Sequence, residues 1–204
     1  MFHVKQSNPA NKYWSDTLIK KYLPDNKVER YIDEALQANR KFNLFSRNLS
    51  ENDLRRLIAE SLVIIDLGYL DKYPGRILDI GSGWGIPAIP LLIARPALDV
   101  TMVERSKKKA DFLTLQLNRL QIKGTVFGDD IKGISDTQKY SLFTARQVTI
   151  DNCLWINVRR LASNHSYLIY FGPSSESNAE KSIQSIEFSM DDTPAKKITL
   201  MPII

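Results

Sequence analysis

Apolar positions divide this chain into a first stretch of helical period and a longer stretch of short apolar runs. Between residues 10 and 75, Val28, Ile32, Ala35 and Leu36, then Leu54, Leu57, Ile58, Leu62 and Ile65, recur at three- and four-residue spacing. Such spacing lines one face of a helix, so the region is read as helical and without clear strands. Tyr73-Pro74-Gly75 breaks the pattern. From Arg76 onward, candidate strands at 77–81, 99–104, 123–127, 140–145 and 166–171 alternate with helical stretches near 86–95, 106–121 and 151–162. That alternation predicts parallel βαβ units with helices on both faces of the sheet. In the tail, Gln184 to Met190 and Lys197 to Ile203 flank a turn-like Asp191-Asp192-Thr193-Pro194, which predicts a closing antiparallel pair. Polar Ser174 to Asn178 reads as a loop, and there is no internal repeat. The expected organisation is α/β, with a helical extension over residues 1–75 and a sheet domain over 76–204.

Composition adds few constraints. At 204 residues, 43% hydrophobic and 25% charged, the chain has enough apolar content for one compact domain with an appendage. Its one cysteine, Cys153, excludes an intrachain disulfide and, within an apolar segment, reads as core filler. No stretch approaches the roughly 18 apolar residues of a membrane span, so no membrane association and a cytoplasmic location are expected. The two histidines, His3 and His165, lie far apart with no cysteine beside them, and no metal site is expected.

The net charge of +5, with a pI near 9.2, favours a polyanionic partner. Lys107, Lys108 and Lys109 form one cluster, Arg40, Lys41 and Arg47 flank Phe42, and Arg55 and Arg56 follow. Each cluster alone is compatible with a solvated face; around one pocket they would suit a phosphate backbone.

The chemistry concentrates in Ile77-Leu78-Asp79-Ile80-Gly81-Ser82-Gly83-Trp84-Gly85-Ile86-Pro87, where an apolar strand runs through three alternating glycines toward a helix. Glycines let the backbone turn sharply and approach a ligand. The spacing is G-x-G-x-G; the dinucleotide fingerprint G-x-G-x-x-G would place its last glycine at Ile86. Asp79 would repel a phosphate but accept from an ammonium group, and the combination suits S-adenosylmethionine. The candidate strand 99–104 ends in Glu104, about 20 residues further on, where such folds place the acid that accepts from ribose hydroxyls. Asp129 and Asp130 follow the next strand and are read either as adenine-side groups or as turn and cap residues. The predicted cofactor set is Asp79, Gly81, Ser82, Gly83, Gly85, Ile86, Glu104, Asp129 and Asp130, with Arg146 beside the methyl group.

Several strings occur in order and at characteristic spacing: Phe42-Asn43-Leu44, Ile86-Pro87-Ala88-Ile89-Pro90-Leu91, Ala94-Arg95-Pro96, Lys108-Lys109 before Phe112-Leu113, and Thr144-Ala145-Arg146. Together they resemble the RsmG (glucose-inhibited division protein B) family over about residues 28 to 172. The resemblance implies a class I S-adenosylmethionine-dependent methyltransferase with a Rossmann-like, mostly parallel seven-stranded sheet. Its implied target is N7 of a guanine in small-subunit ribosomal RNA, its implied partner that RNA or the subunit, and a monomer is expected. The chain departs from the family pattern at Leu57, in place of a histidine, at Glu60, in place of an aspartate, and at Phe171, in place of a lysine. Phe45, Ala88, Glu104 and Asp111 are further departures.

Guanine N7 carries an available lone pair, so the reaction needs alignment of nucleophile, methyl carbon and leaving sulfur, with no general base. Arg146 is expected to hold the guanine or its phosphate, or else to form a salt bridge with a nearby acid. Asn43 is expected to order the loop over the pocket, or to be a simple turn residue. Arg47, Arg56, Lys107, Lys108 and Lys109 are the candidate RNA contacts, and Trp84 is read as packing or as a stacking platform. Two alternatives stand beside this reading: a small-molecule methyltransferase with an apolar pocket lined by Phe45, Trp84 and Phe171, and a relative that binds without catalysing.

Overall fold

The computed structural model describes residues 11–135, 137–172 and 184–203; His3 and the loop expected at Ser174 to Asn178 lie outside them. Its centre is the parallel set β2 (Arg76–Ile80), β3 (Asp99–Val103), β4 (Thr125–Phe127), β5 (Tyr140–Arg146) and β6 (Ala162–Phe171). The antiparallel pair β7 (Gln184–Met190) and β8 (Lys196–Ile203) closes one side, with β8 on β6. An eighth strand, β1 (Asn11–Tyr13), pairs parallel to β7 at the edge. Among the described residues the sheet therefore has eight strands in the order β1-β7-β8-β6-β5-β2-β3-β4, one more than expected. β1 escapes sequence reading because Asn-Lys-Tyr is three residues long and half-solvated, with no alternation to betray it.

Central strands are apolar on both sides because both faces are covered. Ile77, Val100, Met102, Leu142 and Ile169 enter one apolar cluster, while Leu78, Ile80, Val103, Phe143, Ala145 and Leu168 enter a second. The first is covered by α1 (Ser15–Tyr22), α2 (Lys27–Lys41), α3 (Glu51–Asp66), α4 (Tyr69–Lys72), α5 (Ala88–Ala94) and α6 (Lys107–Arg119). On the second face, α7 (Asn152–Leu161) contributes Trp155, Val158 and Leu161. The helical region thus shares its core with the sheet.

Helix α3 is built for the interior. Ser50 and Asp53 form a reciprocal cap, Ser50 Oγ accepting from Asp53 N at 3.2 Å and Asp53 Oδ2 from Ser50 N at 2.9 Å. Beyond that first turn almost every side is buried, because α3 is packed among α1, α2, α4 and α5. Glu60 and Ser61 are carried into the core with it. Cys153 corrects the sequence reading: it is exposed on the first turn of α7, whose apolar stripe falls on its neighbours Trp155 and Val158.

The strand order reverses beside β2, whose neighbours are β3 and β5. In open α/β sheets ligands bind at the carboxyl ends of the strands that flank such a switch point. Asp79, Glu104 and Arg146 all lie at that edge, on or just beyond the ends of β2, β3 and β5.

Candidate active site

The turn after β2 is shaped by glycines with positive φ: 67° at Gly81, 60° at Gly83 and 104° at Gly85. At Gly85 any Cβ would sit 2.5 Å from Ile89 Cδ1 and 2.9 Å from Tyr31 Oη, so the close packing of turn and helix needs a bare backbone. Around Gly83 the nearest protein atom to such a Cβ is the Gly81 carbonyl at 3.8 Å, leaving open space for a ligand to approach. Ser82 is buried; its N–H donates to Val103 O at 3.0 Å and its hydroxyl to Asp79 O at 3.1 Å, tying the turn to β2 and β3. Ile86 is buried in the core beneath the turn.

Asp79 is 1% exposed. One oxygen, Oδ1, accepts from Thr144 Oγ1 at 2.6 Å across the β2–β5 register; the other, Oδ2, is buried with no hydrogen-bond partner among the described residues. Burial pushes its carboxyl up to about 6; the hydrogen bond from Thr144 opposes the shift and the negative charge of Glu104 adds to it. Glu104 lies across the same turn, accepting from Gly83 N at 2.9 Å and from Ser106 N at 2.8 Å. The two acids sit on either side of one glycine loop, 25 residues apart in sequence.

Asp129 and Asp130 have local partners. Asp129 Oδ1 accepts from Asp130 N at 2.7 Å, and Asp130 caps the 3-10 turn Ile131–Gly133 through Lys132 N at 3.0 Å while pairing with Arg105 at 3.7 Å. Trp84 is buried, stacked on Tyr31 with centroids 5.4 Å apart and tilted against Phe45 at 5.2 Å. Tyr31, which sequence reasoning missed, also donates its hydroxyl to the Trp84 carbonyl and so braces the glycine turn from α2. Its only sequence signal is an aromatic residue in the apolar stripe of α2.

Arg146 leaves β5 on the same sheet face as Thr144, and its Nη2 meets Glu60 Oε2 at 2.5 Å. Of the alternatives read for Arg146, the salt bridge is present. Lys196, from β8, binds the other Glu60 oxygen, and Phe171, the register partner of Arg146, lies under the guanidinium at 5.7 Å. Arg146 Nη1 is buried without a partner among the described residues. These residues, with Gly172, Glu187, Phe188 and Ala195, line a hollow of about 470 Å3. Phe171 is thus in this hollow, whereas Phe45 and Trp84 pack against Tyr31; the three do not line one shared apolar pocket.

The basic candidates separate into groups. Arg47 donates to exposed Asn43 at 3.2 Å, and both line an open hollow of about 600 Å3 with Lys109. Asn39, unremarked in the sequence, shapes this loop by accepting from Leu44 N at 2.9 Å and Phe45 N at 3.0 Å. Lys107 and Lys108 are exposed at the start of α6, and Lys108 borders a groove between α2 and α6. Arg56 stands elsewhere, held by Asp53 at 2.7 Å and Asp191 at 3.3 Å. Among the described residues there is no cluster of metal-ligating side chains and no helix long and apolar enough to cross a membrane.

Sheet order, glycine turn and flanking acids together define the fold of class I S-adenosylmethionine-dependent methyltransferases. A magnesium protoporphyrin IX methyltransferase from Synechocystis PCC 6803, solved with SAM, superposes with a TM-score of 0.56 over 97% of this chain and 99% of its own; at 14% identity the likeness is one of fold. The chain belongs to the GidB family, described as rRNA small subunit methyltransferase G, which matches residues 25–199. It is 36% identical over 129 residues to the ribosomal RNA small subunit methyltransferase G of Chloroflexus aggregans, covering 59% of this chain and 52% of that one. Against the protein of the same name from Syntrophotalea carbinolica it is 32% identical over 161 residues, 76% and 73% of the two chains. Across several of these relatives the match spans about half of their length or less.

Proposed function

We propose that this chain transfers the methyl group of S-adenosylmethionine to N7 of a guanine in small-subunit ribosomal RNA, as a cytoplasmic monomer. The observation that carries the cofactor assignment is Asp79 Oδ2, a buried acceptor without a partner among the described residues, at the switch point of the sheet and beside a turn open at Gly83. Buried polar atoms nearly always have a partner, so one without is a place for a ligand donor, and an ammonium group suits a carboxylate. The residues therefore fit the cofactor: Asp79 and the backbone of residues 81–86 for its amino-acid end, Glu104 for its ribose, Asp129 and Asp130 nearest its base. When bound, the cofactor supplies an electrophilic methyl group on a sulfonium.

The protein's own work is binding and alignment. Guanine N7 offers a lone pair without losing a proton, so no side chain has to act as a base. Arg146, fixed by Glu60 and supported by Phe171, is a rigid planar donor at the end of β5. Arg47, Lys107, Lys108 and Lys109 contact phosphates and Asn43 orders the 42–50 loop, while Arg56 would first have to leave Asp53 and Asp191.

Calorimetry with S-adenosylhomocysteine, on this chain and on Gly83→Arg, tests the cofactor site: micromolar-range binding that the variant loses is the expected result, and equal binding by both would refute it. Tritiated methyl transfer to small ribosomal subunits, with mass spectrometry of the product nucleoside, tests the acceptor. Sedimentation of the purified chain tests the monomer.

A further inference from the structure

The geometry points to the hollow at the ends of β5, β6 and β8 as a guanine-reading site, with Glu60 as its specificity-determining residue. This rests on the proposed acceptor and adds to it the edge of the base that is read. Three observations converge. Glu60 is 1% exposed yet lies on α3 with its carboxylate at the hollow, where Arg146 and Lys196 each take one oxygen. A carboxylate has about four acceptor positions, so two cations leave room for two more donors. Arg146 Nη1, buried and without a partner among the described residues, is a donor that can take a ligand acceptor. Phe171 supplies an apolar floor, and the volume, about 470 Å3, falls within the range of small-molecule sites.

The order of these groups matches guanine. Strands β2, β5, β6 and β8 are successive neighbours in the sheet, so its carboxyl edge presents Asp79, then Arg146, then Phe171, then Lys196, with Glu60 bridging Arg146 and Lys196. The guanine edge presents N7, then the O6 acceptor, then the N1–H and 2-amino donors. With N7 turned to the Asp79 side, O6 meets the free Arg146 donor and N1–H and the 2-amino group meet the Glu60 carboxylate. Adenine places a donor against the arginine and an unprotonated N1 against the carboxylate, so both contacts fail. Lys196, 38% exposed in its side chain, can swing from Glu60 to a phosphate as the base enters.

The test compares guanosine, inosine and adenosine 5′-monophosphates binding to the wild-type chain saturated with S-adenosylhomocysteine, followed by ligand-observed NMR. Inosine differs from guanosine only in lacking the 2-amino group. Loss of a hydrogen bond to a charged group predicts inosine binding weaker by on the order of 10- to 100-fold, and adenosine weaker still. In Glu60→Gln the guanosine preference should vanish while S-adenosylhomocysteine binding, which reports folding, persists. Equal binding of guanosine and inosine nucleotides by the wild type, which needs no variant, overturns the proposal, as does a preference that survives in Glu60→Gln. Discrimination without methyl transfer to any RNA would support this site while refuting the proposed acceptor.

Discussion

The two halves of the candidate site meet the problem of a buried carboxylate in opposite ways. On the β2 side, Asp79 is buried with one oxygen hydrogen-bonded and the other without a partner among the described residues. On the β5–β8 side, Glu60 is as deeply buried but has a cation on each oxygen. A buried carboxylate needs partners for its charge, and among the described residues only Glu60 has a cation on each oxygen. The first half keeps an electrostatic debt that a ligand can cancel; the second is a self-contained ion network that holds its arginine still. Stability and ligand binding should therefore respond in opposite directions to changes at the two acids.

The largest effect is expected at the paired acid. Glu60→Ala leaves Arg146 and Lys196 facing a void, and removing one member of a buried pair costs about 3–5 kcal/mol. Denaturant unfolding should show that loss, and a change below 1 kcal/mol would mean that the network contributes nothing. Next is Gly83→Arg, which places a side chain over the open turn and should weaken S-adenosylhomocysteine at least about 100-fold, roughly 3 kcal/mol. Retained affinity would place the ligand elsewhere.

The pH response at Asp79 is intermediate in size. Its folded-state carboxyl is raised to about 6 from an ordinary value of 3.8, so the folded chain holds this proton more tightly than the unfolded one. The contribution of Asp79 to stability consequently falls as pH rises from about 4 to about 6, and stays low above that. Asp79→Asn should remove this slope and raise the melting temperature of the ligand-free chain at neutral pH while abolishing cofactor binding. In the wild type, cofactor affinity should weaken up to about tenfold per pH unit below 6, because the ammonium partner requires the ionised form. A pH-independent affinity between 5 and 8 would separate Asp79 from the ligand. The smallest effect belongs to the brace: Tyr31→Phe removes one buried hydrogen bond to Trp84 and should cost about 1–2 kcal/mol, with a modest loss of cofactor affinity.

Legibility in the sequence followed the same division. The glycine turn, Asp79 and Glu104 were readable because each lies within a few residues of a strand end, and the strand–turn–helix grammar is local. The closing β7–β8 pair was readable from two neighbouring runs around a turn, although β1 was too short and polar to register. Trp84 read as a packing residue ahead of a stacking platform, but its partner was not readable; the structure buries it on Tyr31, 53 residues away. Cys153 was misread because an apolar neighbourhood in sequence does not say which side of a helix a residue occupies.

By itself the sequence determined the parallel α/β architecture, the switch-point turn and the acids around it, since hydrophobic period and glycine placement act over short distances. Only the tertiary structure decided that Glu60, Arg146 and Lys196 meet, because they come from α3, β5 and β8 and are 86 and 136 residues apart from Glu60 along the chain. Charge pairing of that kind depends on which helix lies over which strand end, and no local preference encodes it.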